Sequence, residues 1–372
     1  MKIALVHDDL VQQGGAERLF AEMVSLWPQA DVYTLLASPW AKEKYPHLKI
    51  SSLQRIPFSR SWLYRPLFFL HPLTWEGFDF SDYEVVLSSS ARFAYGIITS
   101  PQTKHIAYLN HPGRMIWEPR DYFGSDGWTK ALFPVWSHFR QWSCRAGQRP
   151  DYLIANSGHV ASKLERYWHR QAEVIYPFVD LGEFQRDGLT PLEDQTLEKS
   201  PYYLVISRLV RWKKLELAVE ACSQLGKNLV VIGDGPERER LARLAGRTVR
   251  FVGRLKRGDV INYLKGCQAL LHPQEEDFGI TPLEAMAAGK PVIAYQAGGV
   301  LETVVAGETG LFFAPQTLTA LVEVLRSFEA SSFNADRCRE QAQKFSRERF
   351  RRELKAFVDR TYAQSQSILP GG

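Results

Sequence analysis

Cysteine is scarce. The 372 residues contain four, Cys144, Cys222, Cys267 and Cys338, and no CxxC pair. That spacing excludes a disulfide scaffold and a cysteine zinc site, and it suits a reducing cytoplasm. Long apolar runs are missing too: none approaches the roughly 18 residues that span a bilayer. Residues 1–10 reach His7, Asp8 and Asp9 after only a few apolar positions, too short a run for a signal peptide. Charge of one sign has little excess, with 46 basic against 41 acidic residues and a net charge of +5. The dense basic stripe of a nucleic-acid binder is therefore absent. The small positive surplus suits a protein that handles phosphates or meets an acidic membrane face. There is also no GxGxxG fingerprint, no Walker A loop, no DxD triplet and no histidine pair at metal-ligand spacing, so neither a metal nor a cofactor is expected. The protein is expected to be cytoplasmic, at most peripheral on the inner face of the membrane.

What is present is the composition of a globular protein, 45% hydrophobic and 23% charged, at a length that suits about two domains. Short apolar runs at residues 2–7, 31–36, 84–87, 105–109 and 151–155 read as buried strands. Helical spacing covers Ala16, Leu19, Phe20, Met23, Val24 and Trp27, and again residues 159–168. After a polar stretch at 180–201 that reads as a linker, the rhythm restarts. Strands are predicted at 202–207, 228–232, 249–252, 269–272 and 291–295. Helices are predicted at 215–225, 237–245, 259–265 and 282–288. Strands alternating with helices predict parallel sheets covered on both faces. The stretch 336–366 reads as one long helix striped by Phe345, Phe350, Leu354, Phe357, Val358 and Tyr362. It either caps the second domain or crosses back onto the first.

In such sheets ligands bind beyond the carboxyl ends of the strands, and the unusual residues fall there. Gly14-Gly15 follows the first strand, as a tight turn or as a close approach to an anion. Ser207-Arg208-Leu209, with Lys213 and Lys214, offers cations suited to a diphosphate, or else a solvated basic loop. Gly233-Asp234-Gly235-Pro236 is ordinary turn chemistry that a nucleotide base could also meet. The richest stretch is 275–284. Three acids, Glu275, Glu276 and Asp277, precede Phe278-Gly279-Ile280, and Pro282 marks a helix start. Glu276 is expected in the loop and Glu284 in the first helical turn, where a carboxylate suits the dipole. Helix capping explains one acid but not the cluster. His111, followed by Pro112, Arg114, Trp117 and Glu118, is a proton donor or acceptor near neutral pH, or a satisfied loop residue.

Together these segments resemble the retaining glycosyltransferases of family 4. That family's signature stands here as Glu276-Asp277-Phe278-Gly279, then Glu284-Ala285-Met286-Ala287-Ala288-Gly289-Lys290-Pro291-Val292, with the two glutamates eight positions apart. Gly14-Gly15-Ala16-Glu17-Arg18, Ser207-Arg208-Leu209, Gly233-Asp234-Gly235-Pro236, Phe251-Val252-Gly253, Asn156-Ser157 and Val174-Ile175-Tyr176-Pro177 extend the likeness to about residue 315. Two places depart from the pattern. Lys214 stands where the family often has glycine, and the family's pocket histidine falls on Asn110, with His111 one place later.

The resemblance implies an α/β protein of GT-B architecture: two facing Rossmann-like domains with parallel sheets and a C-terminal crossover helix. The expected boundaries are 1–178, completed by 345–372, for the acceptor side, and 179–344 for the nucleotide-sugar side. It implies that Arg208 and Lys213 hold the donor diphosphate and stabilise the leaving group, and that Glu276 meets the donor sugar and Glu284 the ribose. Phe278, Gly279 and Ile280 line the donor loop, Gly14 and Gly15 approach from the other domain, and His111 joins the catalytic set by a local shift, or else Asn110 serves in the sugar pocket. The pattern Tyr108, Pro112, Arg114, Trp117 is most like bacterial mannosyltransferases of polysaccharide assembly. A hexose, mannose from GDP-mannose, is thus expected to pass without metal to a glycan or lipid-linked acceptor. Residues 53–80 interleave Arg55, Arg60 and Arg65 with Phe58, Trp62, Leu63, Tyr64, Phe68, Phe69 and Trp75, which suits an anionic membrane surface or a buried loop with exposed arginines. A GT-B epimerase or phosphorylase, or a non-catalytic nucleotide-sugar binder, would share the architecture. The last of these predicts loss of the cations or acids that are present here.

Overall fold

A computed structural model of the chain describes residues 1–57, 66–119, 133–185 and 200–368. The chain forms two units, Met1–Tyr176 together with the chain from Phe350 onward, and Pro177–Arg349. The first holds a sheet of β1 (Ile3–His7), β2 (Asp31–Thr34), β3 (Leu48–Ile50), β4 (Val85–Ser90), β5 (Lys104–Leu109), β6 (Tyr152–Ala155) and β7 (Glu173–Val174). Their order across the sheet is β3-β2-β1-β4-β5-β6-β7, every pair parallel. The second holds β8 (Tyr202–Ile206), β9 (Asn228–Ile232), β10 (Val249–Gly253), β11 (Ala269–His272), β12 (Val292–Tyr295) and β13 (Gly310–Phe313). Their order is β10-β9-β8-β11-β12-β13, again all parallel. This is the expected pair of Rossmann-like folds.

The central strands β1, β4 and β5 are buried along almost their whole length because helices cover both faces of the sheet; their apolar residues dominate, though β4 ends in three buried serines, Ser88, Ser89 and Ser90. The three strands that periodicity misses, β3, β7 and β13, stand at sheet edges. They are two to four residues long and only partly buried, so they carry no full apolar run. The helix Gly15–Leu26 buries Leu19, Phe20 and Met23 as their spacing predicts. In the second unit, helix Leu215–Leu225 packs Leu215, Ala218, Val219 and Cys222 into a core with Val205, Val231 and Leu271 of the sheet.

Two expectations need correction. The stretch read as a linker begins with a short helix, Leu181–Gln185, which its buried Phe184 anchors; residues 186–199 lie outside the described residues. The tail is not one helix but two, Ala335–Gln343 and Arg347–Ile368. The break falls where Phe345 turns into the second unit. Its carbonyl accepts the Val179 N–H at 3.0 Å and its ring lies 5.9 Å from that of Phe278. From Phe350 onward the last helix packs with the first unit, burying Phe350, Leu354, Phe357 and Val358. Phe350 meets the Tyr108 ring of β5 at 6.2 Å, Arg351 pairs with Glu22, and the Tyr362 hydroxyl donates to Glu84 at 2.6 Å. This is the crossover that the resemblance implies.

Phe350 is fully buried. Phe350→Ala should therefore cost about 3–5 kcal/mol in the unfolding of the first unit, read by denaturant titration.

Candidate active site at the strand ends

Strand order reverses between β8 and β11, and the crevice beyond that point is the ligand position of an open parallel sheet. Three motifs converge on it through backbone hydrogen bonds. The Ser207 N–H donates to the Ile232 carbonyl at 3.0 Å, the Leu209 N–H to the Asp234 carbonyl at 3.0 Å, and the Gly233 N–H to the Gly253 carbonyl at 2.7 Å. The loops pass so closely that only glycine fits. A Cβ on Gly233, whose φ is +131°, would lie 1.9 Å from the Ser207 carbonyl oxygen, and one on Gly235 2.3 Å from that of Leu209. Arg208 projects from this crossing, exposed and in no ion pair among the described residues.

On the β11 side, Glu276 is half-buried and in contact with the Lys213 ammonium through Oε1. Lys213 also lies over the Trp212 ring at 4.1 Å. The Gln274 amide donates to the same Glu276 oxygen at 3.2 Å, and its nitrogen stands 3.1 Å from His272 Nδ1. Burial, and then the Lys213 charge, lowers the pKa of His272 to about 3, so the ring is neutral. The Glu276 loop is braced by Gly298-Gly299. The Gly299 N–H donates to the Glu276 carbonyl at 2.9 Å, and a Cβ on Gly298 would stand 2.3 Å from that oxygen.

Gly279, at φ +87°, caps the helix Ile280–Ala287, and the N–H groups of Gly279, Ile280 and Thr281 donate to no backbone carbonyl among the described residues. Phe278 is buried against Phe345 and anchors this loop. Glu284 needs a correction. The helix starts two residues earlier than the proline implies, so Glu284 sits in the second turn, buried, and pairs with Arg257 at 2.8 Å. Arg257 also grips Glu183 at 2.6 and 2.8 Å. Burial opposes the Arg257 charge, but Glu284 and Glu183 outweigh it and raise the pKa.

In the first unit the order reverses between β1 and β4. Buried Asp8 ties their ends together by accepting the N–H groups of Ala91, Arg92, Phe93 and Ala94 at 2.6, 2.9, 2.9 and 2.8 Å. Gly14 is the N-cap of helix Gly15–Leu26. Its N–H is taken by Glu17 at 2.8 Å, while those of Gly15 and Ala16 donate to no backbone carbonyl among the described residues. At the end of β5, Asn110 is partly exposed and its amide donates to Ser89 Oγ at 3.3 Å. His111 is buried, with Nε2 3.4 Å from both Glu118 and Lys163, and Lys163 meets Glu118 at 2.7 Å. Burial alone would raise the Glu118 carboxyl. His111, Lys163 and Arg114 overrule it and hold the pKa at about 2. Among the described residues, no three His, Cys, Asp or Glu side chains cluster as metal ligands would.

Two family models match the chain. "Glycosyltransferase Family 4" covers residues 13–183 and "Glycosyl transferases group 1" covers 192–345, so together they take in both strand-end sites. The chain is thus a family 4 glycosyltransferase domain followed by a group 1 glycosyl transferase domain. Among curated relatives, it is 30% identical to the Alpha-1,3/1,6-mannosyltransferase ALG2 of Homo sapiens over 56% of this chain and 58% of that one. Glycogen synthase of Pseudomonas fluorescens is 33% identical over 62% and 51%. The chain thus spans a little over half the length of these relatives. Among solved structures, HepE of Anabaena in complex with UDP-glucose matches with a TM-score of 0.70 at 19% identity, covering 96% of this chain and 100% of that one. Sucrose-phosphate synthase from Thermosynechococcus elongatus matches with 0.75 at 18%, covering 98% and 100%. These structural likenesses show the fold.

In the second unit the fold gathers Arg208, Lys213, Glu276, Phe278, Gly279, Ile280 and Glu284 around one switch point. Gly14, Gly15, Asn110 and His111 stand at the strand ends of the first. Sequence reasoning missed Asp8, Arg257, His272, Gln274 and the Gly298-Gly299 pair. Only the double glycine after a strand carried a readable signal. Glu118 has a folded pKa of about 2, below its ordinary 4.5, so its ion pairs add stability that is fully present above pH 4.5 and is lost as pH falls toward 2. Glu118→Gln should unfold at lower temperature than the parent at pH 7, and the gap should close as melting curves are taken through that acid window.

Proposed function

We propose that the chain is a retaining hexosyltransferase that moves mannose from a nucleotide sugar to a glycan or lipid-linked acceptor. The observation that carries this reading is the β8–β11 switch point, where exposed Arg208, the Lys213–Glu276 pair and an open helix N-terminus come together. Arg208 and Lys213 are the groups that would neutralise the diphosphate and stabilise it as it leaves. Fixed cations of this kind are a large catalytic term. The N–H groups of Gly279 and Ile280 suit a phosphate or sugar oxygen, and Phe278 keeps their loop in place. These groups would replace a metal in balancing the diphosphate charge, and no cofactor is invoked.

Glu276 would accept hydroxyls of the donor sugar and Glu284 those of the ribose, the latter oriented by Arg257. From the first unit, Gly14 and Gly15 with the adjacent helix N-terminus would approach the donor. His111 is the proposed catalytic residue there: its contacts with Glu118 and Lys163 fix the ring, and the neighbouring Asn110 would take a sugar hydroxyl. In the reaction, the bond from the anomeric carbon to the phosphate oxygen breaks. The acceptor oxygen bonds the same face, and its proton passes to the departing phosphate.

GDP-mannose is the favoured donor because a mannosyltransferase stands among the relatives. The solved HepE complexes contain UDP and UDP-glucose, so a UDP-sugar is the second donor to test. No helix among the described residues is long and apolar enough to cross a membrane. A cytoplasmic protein that meets a lipid-linked acceptor would need a surface contact. Phe69, Leu70 and Leu73 are exposed, at 43%, 43% and 67%, and Arg55 is exposed nearby in sequence. Phe68 and Trp75 belong to the core instead. Phe58, Arg60, Trp62, Leu63, Tyr64 and Arg65 lie outside the described residues.

Two experiments test this. In a thermal-shift screen of GDP-, UDP- and ADP-sugars, a ligand at a hundred times its Kd should add about 2.7 kcal/mol of stability. The GDP-mannose response should survive EDTA and be lost in Arg208→Ala and Glu284→Ala. Silence with every nucleotide sugar would overturn the donor site, and phosphorolysis or epimerisation without transfer would replace the reaction. In the second, the protein should co-sediment with anionic vesicles at low salt and be released at high salt; failure to sediment removes the membrane contact.

A further inference from the structure

Glu276 carries an asymmetry that the donor-site reading does not use. Among the described residues, both partners of its carboxylate, the Lys213 ammonium and the Gln274 amide, meet the same oxygen, Oε1. Oε2 takes part in no hydrogen bond among the described residues. It lies beside the open helix N-terminus, 3.7 Å from where a side chain on Gly279 would begin. One carboxylate oxygen is thus tied to the protein and the other faces the loop where a ligand would sit.

The tie through Gln274 is directional. Its nitrogen is within hydrogen-bond distance of both Glu276 Oε1 and His272 Nδ1. A carboxylate only accepts, so the NH2 end must point toward it, and the second hydrogen then requires a lone pair on His272 Nδ1. His272 is therefore the neutral tautomer with its proton on Nε2. Gln274 and His272 are each only 2% exposed, and the atoms at their far ends, Gln274 Oε1 and His272 Nε2, have no partner among the described residues. Buried polar atoms left in that state cost stability, which marks a pair retained for position rather than for packing.

We propose that Gln274 is the positioning residue of the donor site. Its amide, aimed by His272, holds the Glu276 carboxylate when Lys213 leaves it for the donor's phosphate. This rests on the donor-site reading above. Lys213 serves two anions in turn, Glu276 before the donor arrives and the diphosphate after. Without a second anchor, Glu276 would lose its orientation at the moment its free oxygen is needed for a sugar hydroxyl. Gln274 is neutral and sits on the strand end, so the arriving phosphate does not compete for it.

The test measures, by calorimetry, the affinity of wild type, Gln274→Leu and Gln274→Glu for GDP, UDP, GDP-mannose and UDP-glucose. Wild type should bind the preferred nucleotide sugar. Gln274→Leu should bind that sugar about tenfold or more weakly yet keep the free nucleoside diphosphate within about twofold, because only a hydrogen bond to a charged sugar-binding group is lost. Gln274→Glu keeps the shape but sets a second carboxylate against Glu276, so the pair holds a proton to higher pH. While that proton is held the new carboxyl can still donate to Glu276, so nucleotide-sugar affinity should fall as pH rises and the pair ionises fully, with no matching change for the free nucleotide. An unchanged ratio of nucleotide-sugar to nucleotide affinity in both variants overturns the proposal. So does equal loss of both ligands with a lowered melting temperature, which assigns Gln274 to packing. If wild type binds none of the four probes, it is the donor-site reading itself that fails.

Discussion

Every strand in both sheets runs parallel to its neighbours, and the rest of the structure follows from that constraint. Parallel strands cannot be joined by tight hairpins, so each return crosses a face of the sheet, and every strand delivers its carboxyl end to the same edge. The loops at that edge are crowded. In the second unit they cross so closely that Gly233, Gly235, Gly298 and Gly299 have no room for a Cβ. In the first unit one buried carboxylate, Asp8, does the equivalent work by collecting four backbone N–H groups from the loop after β4. A rigid edge is what allows a few charged side chains to be held at fixed separations.

The charges at the two edges are arranged differently. At the β8–β11 edge one cation, Arg208, is left in solvent while another, Lys213, rests on a carboxylate. Glu284 is held by Arg257, which is held in turn by Glu183. At the end of β5 the charges are closed on themselves: Glu118 gathers His111, Lys163 and Arg114, and its carboxyl is held far down the acid range. The first arrangement leaves positive charge available for an anion, and the second fixes a loop. The proposed sugar transfer would use both, since available positive charge would draw in an anionic donor and a fixed loop would hold its groups in place.

Much of this was legible in the sequence. The central strands announce themselves as apolar runs, and the helix Leu215–Leu225 was readable to its ends because its apolar face and flanking residues agree. The edge strands β3, β7 and β13 were not, since a short, half-exposed strand carries no pattern to read. The stripe from Phe345 to Tyr362 looked continuous, yet Phe345 belongs to the second unit and Phe350 to the first. Periodicity cannot see which core a side chain enters. Glu276 and Glu284 stood out because they fall in a long motif, whereas the residues that aim them did not. Arg257 and Gln274 act through contacts made across the fold, and in sequence an isolated arginine or glutamine is indistinguishable from a solvated one.

The last helix gives the chain an unusual order of assembly. The second unit is built from one uninterrupted stretch, Pro177–Arg349, and can close as soon as that stretch has left the ribosome. The first unit is begun earlier but finishes later, because the surface that receives Phe350, Leu354 and Val358 stays uncovered until the last helix has been made. During that interval its exposed apolar groove is a hazard of the kind chaperones exist to cover. The half of the protein that is made first is the half that waits.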